Sequence, residues 1–228
     1  MPRPAFDVGP LDFTESELKQ LWSFVDGAIM APDIREHLRK GWGLCPRHAW
    51  GYAVTEIEVR RGRPFSTAIL YEDLARHAAR LVGQRHKPWT RVRSQLRTRS
   101  ICFTCDYVSM VDGGRDPGEG APNSLTLGRV NERTGTLAMF EELGDVVLER
   151  ACPTCLGGDG LICRLHILEQ AGPPDALTAE LGALAVRLRR LIDSMNAKGS
   201  EVGSVEAVSW IEALGWFGGW DYARKLRD

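Results

Sequence analysis

Residues 151–166 read Ala-Cys-Pro-Thr-Cys-Leu-Gly-Gly-Asp-Gly-Leu-Ile-Cys-Arg-Leu-His, a C-x-x-C (Cys152, Cys155) followed after a glycine-rich turn by a C-x-x-H (Cys163, His166). The same two spacings occur earlier, as C-x-x-H at Cys45-Pro-Arg-His48 and as C-x-x-C at Cys102-Phe-Thr-Cys105. Together the four motifs use all 6 cysteines of the chain. In this composition chance alone would supply about 0.1 motif of either kind. Structural tetrahedral sites take four nitrogen or sulfur ligands, commonly delivered two at a time, so eight donors make two Cys3His sites. Cys45, His48, Cys102, Cys105, Cys152, Cys155, Cys163 and His166 are therefore the candidate metal ligands, and two zinc ions are the expected cofactor.

The local stereochemistry agrees with this. Pro46 and Pro153 each follow a cysteine, and proline is favoured at the first position of a helix because its missing N–H would go unsatisfied there anyway. The cysteine then sits at the cap, and the second ligand three residues later lies over the same turn. A helix N-terminus also lowers a thiol pKa, favouring the thiolate that binds metal. An iron–sulfur cluster usually takes four thiolates and fits this donor set less well. A c-type haem is excluded, because Asp106 and Leu156 rather than histidine follow the C-x-x-C pairs. Thioredoxin-like redox chemistry would need a β-α-β pattern that is absent. His37, His77 and His86 have no cysteine neighbours and read as surface or satisfied core residues.

Helical spacing dominates the rest of the chain. It predicts helices over 16–30, from Pro32, over 46–61, 65–82 and 125–149, with only short pieces near 101–110 extended. Leu177, Leu181, Leu184, Leu188, Leu191 and Met195 form an a/d seam, which suits either one helix of an internal bundle or a homodimer interface. The aromatic tail, with Trp210, Trp216, Phe217, Trp220 and Tyr222, is expected as a last helix laid on the core. Residues 112–123 are almost entirely glycine, proline and polar side chains, the composition of a loop.

The expected fold class is mainly α: duplicated helical modules with zinc-knuckle-like C-x-x-C and C-x-x-H sites and few or no strands. In each half a Gly-Leu-Cys or Gly-Leu-Ile-Cys run precedes a helix, a Gly/Pro break (Gly62-Arg-Pro64; Gly172-Pro-Pro174) and a long apolar-faced helix. The natural division is an N-terminal module at 1–83, a basic connector at 84–100 and a second module at 101–228, fused into one body. The connector carries Arg85, Lys87, Arg91, Arg93, Arg97 and Arg99 with no acid. With Trp89 among them it could touch phosphate or RNA, although a solvated connector is the ordinary reading.

The run from Ile34 to Leu74, with GLCPRHAW at 43–50 and AILYEDL at 68–74, resembles a family of uncharacterised bacterial helical proteins built from C-P-x-C, a helix, G-F/L-C-x-x-H-A and a second helix. The resemblance covers about residues 15–170, implies a helical zinc-binding protein and carries no activity with it. The chain departs from the pattern at the start, where Asp12-Phe13-Thr14-Glu15 stands in place of the first C-x-x-C. The family order would join Cys102/Cys105 to Cys163/His166 and Cys152/Cys155 to Cys45/His48. The seven-residue separation Leu156–Ile162 instead favours joining Cys152/Cys155 to Cys163/His166.

Composition bounds the function. The 228 residues have a formal net charge of -1 and 43% hydrophobic content, ordinary for a folded domain and not for a dedicated nucleic-acid binder. The N-terminal residues contain no apolar run of signal-peptide length and no segment has the apolar length of a membrane span, so a cytoplasmic protein without membrane association is expected. G-x-S-x-G, P-loop, dinucleotide and H-E-x-x-H motifs are absent, and Glu56/Glu58 and Glu72/Asp73 read as solvated helix faces. Eight ligands in two fours leave no open coordination position, which leans away from an enzyme. The resulting expectation is an accessory or interaction protein with two structural zinc ions and a protein partner. Its alternatives are a thiol-redox or iron–sulfur protein using one C-x-x-C, and a zinc-dependent nucleic-acid binder using 85–99.

Overall fold

The leucine seam at 177–195 meets helices of its own chain. The computed structural model describes residues 13–84, 86–112, 124–197 and 202–227, and every regular element among them is helical. In chain order these are α1 (Glu15–Val25), α2 (Pro32–Gly41), α3 (Pro46–Val59), α4 (Phe65–Val82), α5 (Trp89–Leu96), α6 (Phe103–Asp112), α7 (Ser124–Glu132), α8 (Thr134–Glu149), the single turns α9 (Pro153–Leu156) and α10 (Arg164–Ile167), α11 (Leu177–Asn196), α12 (Ser204–Ala207), α13 (Ser209–Gly218) and α14 (Asp221–Arg227). A 3-10 turn covers Ala28–Met30. α11 packs along α4 in antiparallel fashion: Thr178 lies beside Gly83, and Arg189 meets Glu72. Leu177, Leu181, Leu184, Leu188 and Leu191 are buried and Met195 packs against the same core, so the seam is occupied within one chain. No helix among the described residues is long and apolar enough to cross a membrane.

The tail does not lie on the core; it runs through it. Every residue of α13 is buried, among α3, α4, α10 and α11. The reason is its sequence, SWIEALGWFG, which is apolar around most of its circumference, so that no face suits water. Gly215 is required where the Trp220 ring lies across the helix, because a Cβ there would enter the ring. The Trp50 indole N–H donates to the Gly219 carbonyl at 3.1 Å, fastening α3 to the end of α13. Glu212 on α13 is 1% exposed and meets two guanidiniums, Arg150 at 2.8 Å and Arg187 at 2.7 Å.

Several elements differ from the sequence reading for local reasons. α1 stops at Val25 because Gly27 takes a φ of 121°, and the chain turns before the 3-10 segment. Residues 103–112 are helical rather than extended, and the helix starts where the Cys102 carbonyl accepts the Asp106 N–H at 3.0 Å. The helix expected at 125–149 breaks into α7 and α8 at Arg133, whose backbone is left-handed. The loop expected at 112–123 lies almost wholly outside the described residues.

Glu56 and Glu58 do not form a solvated face. Glu56 is fully buried and accepts the Ser66 and Thr67 N–H groups at 2.6 and 2.8 Å, at the start of α4. Glu58 accepts the Gly135 and Thr136 N–H groups at 3.2 and 2.7 Å, at the start of α8. Neither α4 nor α8 has a capping side chain of its own, so two glutamates of α3 satisfy the otherwise orphaned donors of two other helices. Burial pushes the Glu56 carboxyl up, against the backbone donors that favour its charged form.

One core cluster runs from Phe13 to Ala223 and includes Val92 and Leu96 of α5, so the basic connector is part of the body it joins. Glu212→Ala, which leaves the Arg150 and Arg187 guanidiniums without their buried acid, is expected to cost about 3–5 kcal/mol in urea denaturation. Arg190→Ala, at an exposed ion pair with Glu206, should change stability by less than about 0.5 kcal/mol.

Candidate metal centres

All four motifs are placed by one device. Cys45, Cys152 and Cys163 are the N-cap residues of α3, α9 and α10, each in extended conformation, and Cys102 stands immediately before α6. The second ligand falls three residues later, in the first helical turn, so both donor atoms project from one helix start. None of the three N-cap cysteines uses its side chain to cap the helix, which leaves the sulfurs for each other and for the histidines.

Tertiary folding brings the pairs into two sets. Cys45, His48, Cys102 and Cys105 form one, and Cys152, Cys155, Cys163 and His166 the other; in each set all donor atoms lie within 4.8 Å of one another. Of the two pairings open to the sequence, the structure contains the one with the short loop. In the first set His48 Nδ1 lies 3.3 Å from Cys45 Sγ, 3.5 Å from Cys102 Sγ and 3.3 Å from Cys105 Sγ, and the Cys45 and Cys105 sulfurs are 3.8 Å apart. In the second, His166 Nδ1 lies 3.7, 3.3 and 3.3 Å from the sulfurs of Cys152, Cys155 and Cys163, and the Cys155 and Cys163 sulfurs are 3.7 Å apart. A tetrahedral ion with metal–sulfur bonds of about 2.3 Å and metal–nitrogen bonds of about 2.0–2.1 Å separates its ligands by about 3.5–3.8 Å. Each set therefore fits one four-coordinate metal ion. A cluster of several irons would hold its thiolates around a larger body.

The proton inventory of each set also fits a cation. Three thiols in contact cannot all ionise, because like charges at this range oppose one another. Hydrogen bonds from Cys105 and Cys45 favour the Cys102 thiolate, and the bonds of Cys45 to Cys102 and Cys105 push its own thiol up. In the second set the Cys155 and Cys163 thiols favour the Cys152 thiolate, and the hydrogen bond to Cys152 drives Cys155 up to about 12. A metal ion replaces these shared protons, so loading either set releases protons and acid competes with the metal.

The first set has an outer shell that sequence reading missed. The His48 Nε2–H donates to Glu17 Oε1 at 2.9 Å, which fixes the tautomer and turns Nδ1 toward the thiols. Arg47 donates to both oxygens of the same carboxylate, at 2.9 and 3.0 Å. Burial would raise the Glu17 pKa, but the His48 and Arg47 hydrogen bonds outweigh it and hold the carboxyl well below its usual range. Glu17 is also the third residue of a capping box with Thr14, whose N–H reaches Glu17 Oε2 at 2.7 Å while its hydroxyl accepts the Glu17 N–H at 3.2 Å. The Thr14-Glu15-Ser16-Glu17 pattern announces that cap in the sequence; the bond to His48 is formed only in the fold.

The second set is held by backbone instead. The loop between its cysteine pairs folds against the end of α8, with the Asp159 N–H on the Glu149 carbonyl and the Gly160 N–H on the Ala151 carbonyl at 3.1 and 3.0 Å. A Cβ on Gly160 would overlap the Arg150 carbonyl, so the loop closes this tightly only with glycine there. Arg164, between the ligands Cys163 and His166, is 5% exposed and donates to the Phe217 carbonyl at 2.9 Å and the Leu96 carbonyl at 2.9 Å. Burial lowers its pKa to about 10, which still leaves it charged at neutral pH. It ties the second set to α13 and to the end of α5.

Compared with known proteins, the chain matches no family model, no curated protein and no solved structure.

The unequal outer shells predict unequal sensitivity. Glu17→Ala should weaken metal binding at the first set about 10- to 100-fold and leave the second unchanged, read by stepwise chelator competition. The first set also joins positions 54 residues apart, His48 and Cys102, and fastens α6, which fully buries only Thr104 among its described side chains. Cys102→Ser is expected to speed hydrogen exchange at 103–112 while the α4–α11 pair keeps its protection.

Proposed function

We propose that this chain is a helical accessory protein whose two sites hold zinc ions as structural staples, and which acts on a protein partner by scaffolding or regulating it. The supporting observation is that each ligand set is complete. Three thiolates and an imidazole fill a tetrahedron from the protein alone, whereas a catalytic zinc keeps a position for water or substrate. Borderline-soft zinc suits mixed sulfur and nitrogen donors, and a closed tetrahedral shell suits its indifference to geometry. The metals would then do architectural work: the first fixes α6 and the start of α3 beside α1, and the second fixes the segment between α8 and α11. A body stapled in this way presents fixed surfaces, which is what an interaction protein needs. Cysteines that serve as zinc thiolates would accord with a reducing, cytoplasmic location.

Elemental analysis of freshly purified protein tests the reading. Two equivalents of zinc per chain, no iron and a colourless solution are expected, and cobalt exchanged into both sites should show the intense visible bands of tetrahedral thiolate coordination. Chelation should unfold the protein, since the binding free energy of a structural metal is also folding free energy. Bound iron with visible absorbance, or an unchanged melting curve after both metals are removed, would refute the proposal.

A further inference from the structure

A cleft of about 460 Å³ opens between the C-terminal halves of α2 and α4 and the segment that carries α5. Its size lies in the range of small-ligand sites. Arg39, Lys40, Arg80, Lys87 and Arg99 line it, with Glu36 as the acid among the lining residues. These cations come from three separate stretches of a chain whose net charge is -1, so their convergence is a product of the fold. Arg39 is matched by Asp73 and Lys40 by Glu36. Arg80, Lys87 and Arg99 make no ion pair among the described residues. A helix C-terminus favours cations and accounts for Arg39, Lys40 and Arg80. Lys87 and Arg99 belong to no helix, and that account does not reach them.

Two neutral groups complete the cleft. Gln84 and Gln95 line it, and the carboxamide oxygen of each is buried with no hydrogen-bond partner among the described residues. A buried acceptor without a donor is costly, and a ligand hydroxyl or amine would satisfy it. His77 is held below the usual imidazole range, first by its own burial and then by Arg80 and Arg39, and so adds a neutral hydrogen-bonding edge.

We infer that this cleft is a binding site for a small phosphorylated metabolite of nucleotide size, with Arg80, Lys87 and Arg99 on its phosphates and Gln84 and Gln95 on its hydroxyl or amino groups. A single-stranded nucleic acid fits less well, because such ligands need aromatic rings open to stacking. Trp42 is buried, with its ring beside His77 and stacked on Phe217, and the half-buried Trp89 donates its indole N–H to the Gln170 carbonyl.

Calorimetry on the full metal-loaded chain at about 50 mM salt, with ATP, inorganic pyrophosphate and a short single-stranded RNA as probes, tests the assignment. ATP should bind saturably at one per chain and about tenfold more tightly than pyrophosphate, which lacks the hydroxyl and amino donors. Arg80 and Arg99 are exposed, so the double variant Arg80→Glu, Arg99→Glu should stay folded, with a melting temperature lowered by at most about 4 °C for the lost cation at the end of α4, and lose at least about tenfold in ATP affinity. Absence of saturable binding, or ATP binding that survives the double variant, would overturn the site. Equal affinity for ATP and pyrophosphate would overturn the role given to the glutamines. RNA binding tighter than ATP, with a salt dependence of several phosphates, would replace the metabolite by a nucleic acid.

Discussion

Three thiols and an imidazole held within 4.8 Å of one another form an arrangement that mutual repulsion opposes unless a cation or shared protons fill it. Two such knots occur in this chain, and the layout of the fold follows from where they are tied. The first pulls α6 back to the start of α3. The second closes the turn that carries the chain from α8 toward α11. Between the knots, burial of α13 and of the α4–α11 seam supplies the apolar body. The knots govern segments that bury little of themselves in the core: α9 and α10 are single turns, and α6 fully buries only Thr104 among its described side chains.

The supports of the two sites differ in kind. In the first, a charged outer shell does the positioning: Glu17 orients His48, Arg47 holds Glu17, and Thr14 holds it again from the cap. In the second, backbone contacts with the end of α8 and the buried Arg164 take over. This asymmetry sits uneasily with a simple duplication. The helix after the first C-x-x-H runs from Pro46 to Val59, whereas after the second it is one turn, Arg164–Ile167. The long helix that follows is retained in both halves, and the two long helices pack on each other.

Much of this was legible in one dimension. A cysteine at a helix cap with its partner three residues on is a local pattern, and the eight candidate donors were readable because neither spacing nor count depends on the rest of the fold. The leucine seam was equally local, and its period predicted the buried face of α11. What could not be read was which pair joins which, since the resemblance and the loop length pointed in different directions. Glu56 and Glu58 are the sharper case. Glu56 reaches across a short turn to the start of α4, ten residues on, but nothing near Glu58 shows that the start of α8, 77 residues on, lies within reach, and a solvated face was the natural reading of the pair. The aromatic tail was visibly apolar, yet its place at the centre depends on how many neighbours close around it.

By itself, then, the sequence determined the mainly helical class, the helix starts at Cys45 and Cys152 and the identity of the donor atoms, because these rest on interactions within one turn of helix. Only the tertiary structure decided the grouping into two sets, the outer shell of His48, the burial of α13 and the gathering of cations around one cleft. Apart from the second set, whose donors lie within 14 positions of one another, each of these joins residues tens of positions apart, and their meeting is set by the packing of the whole core.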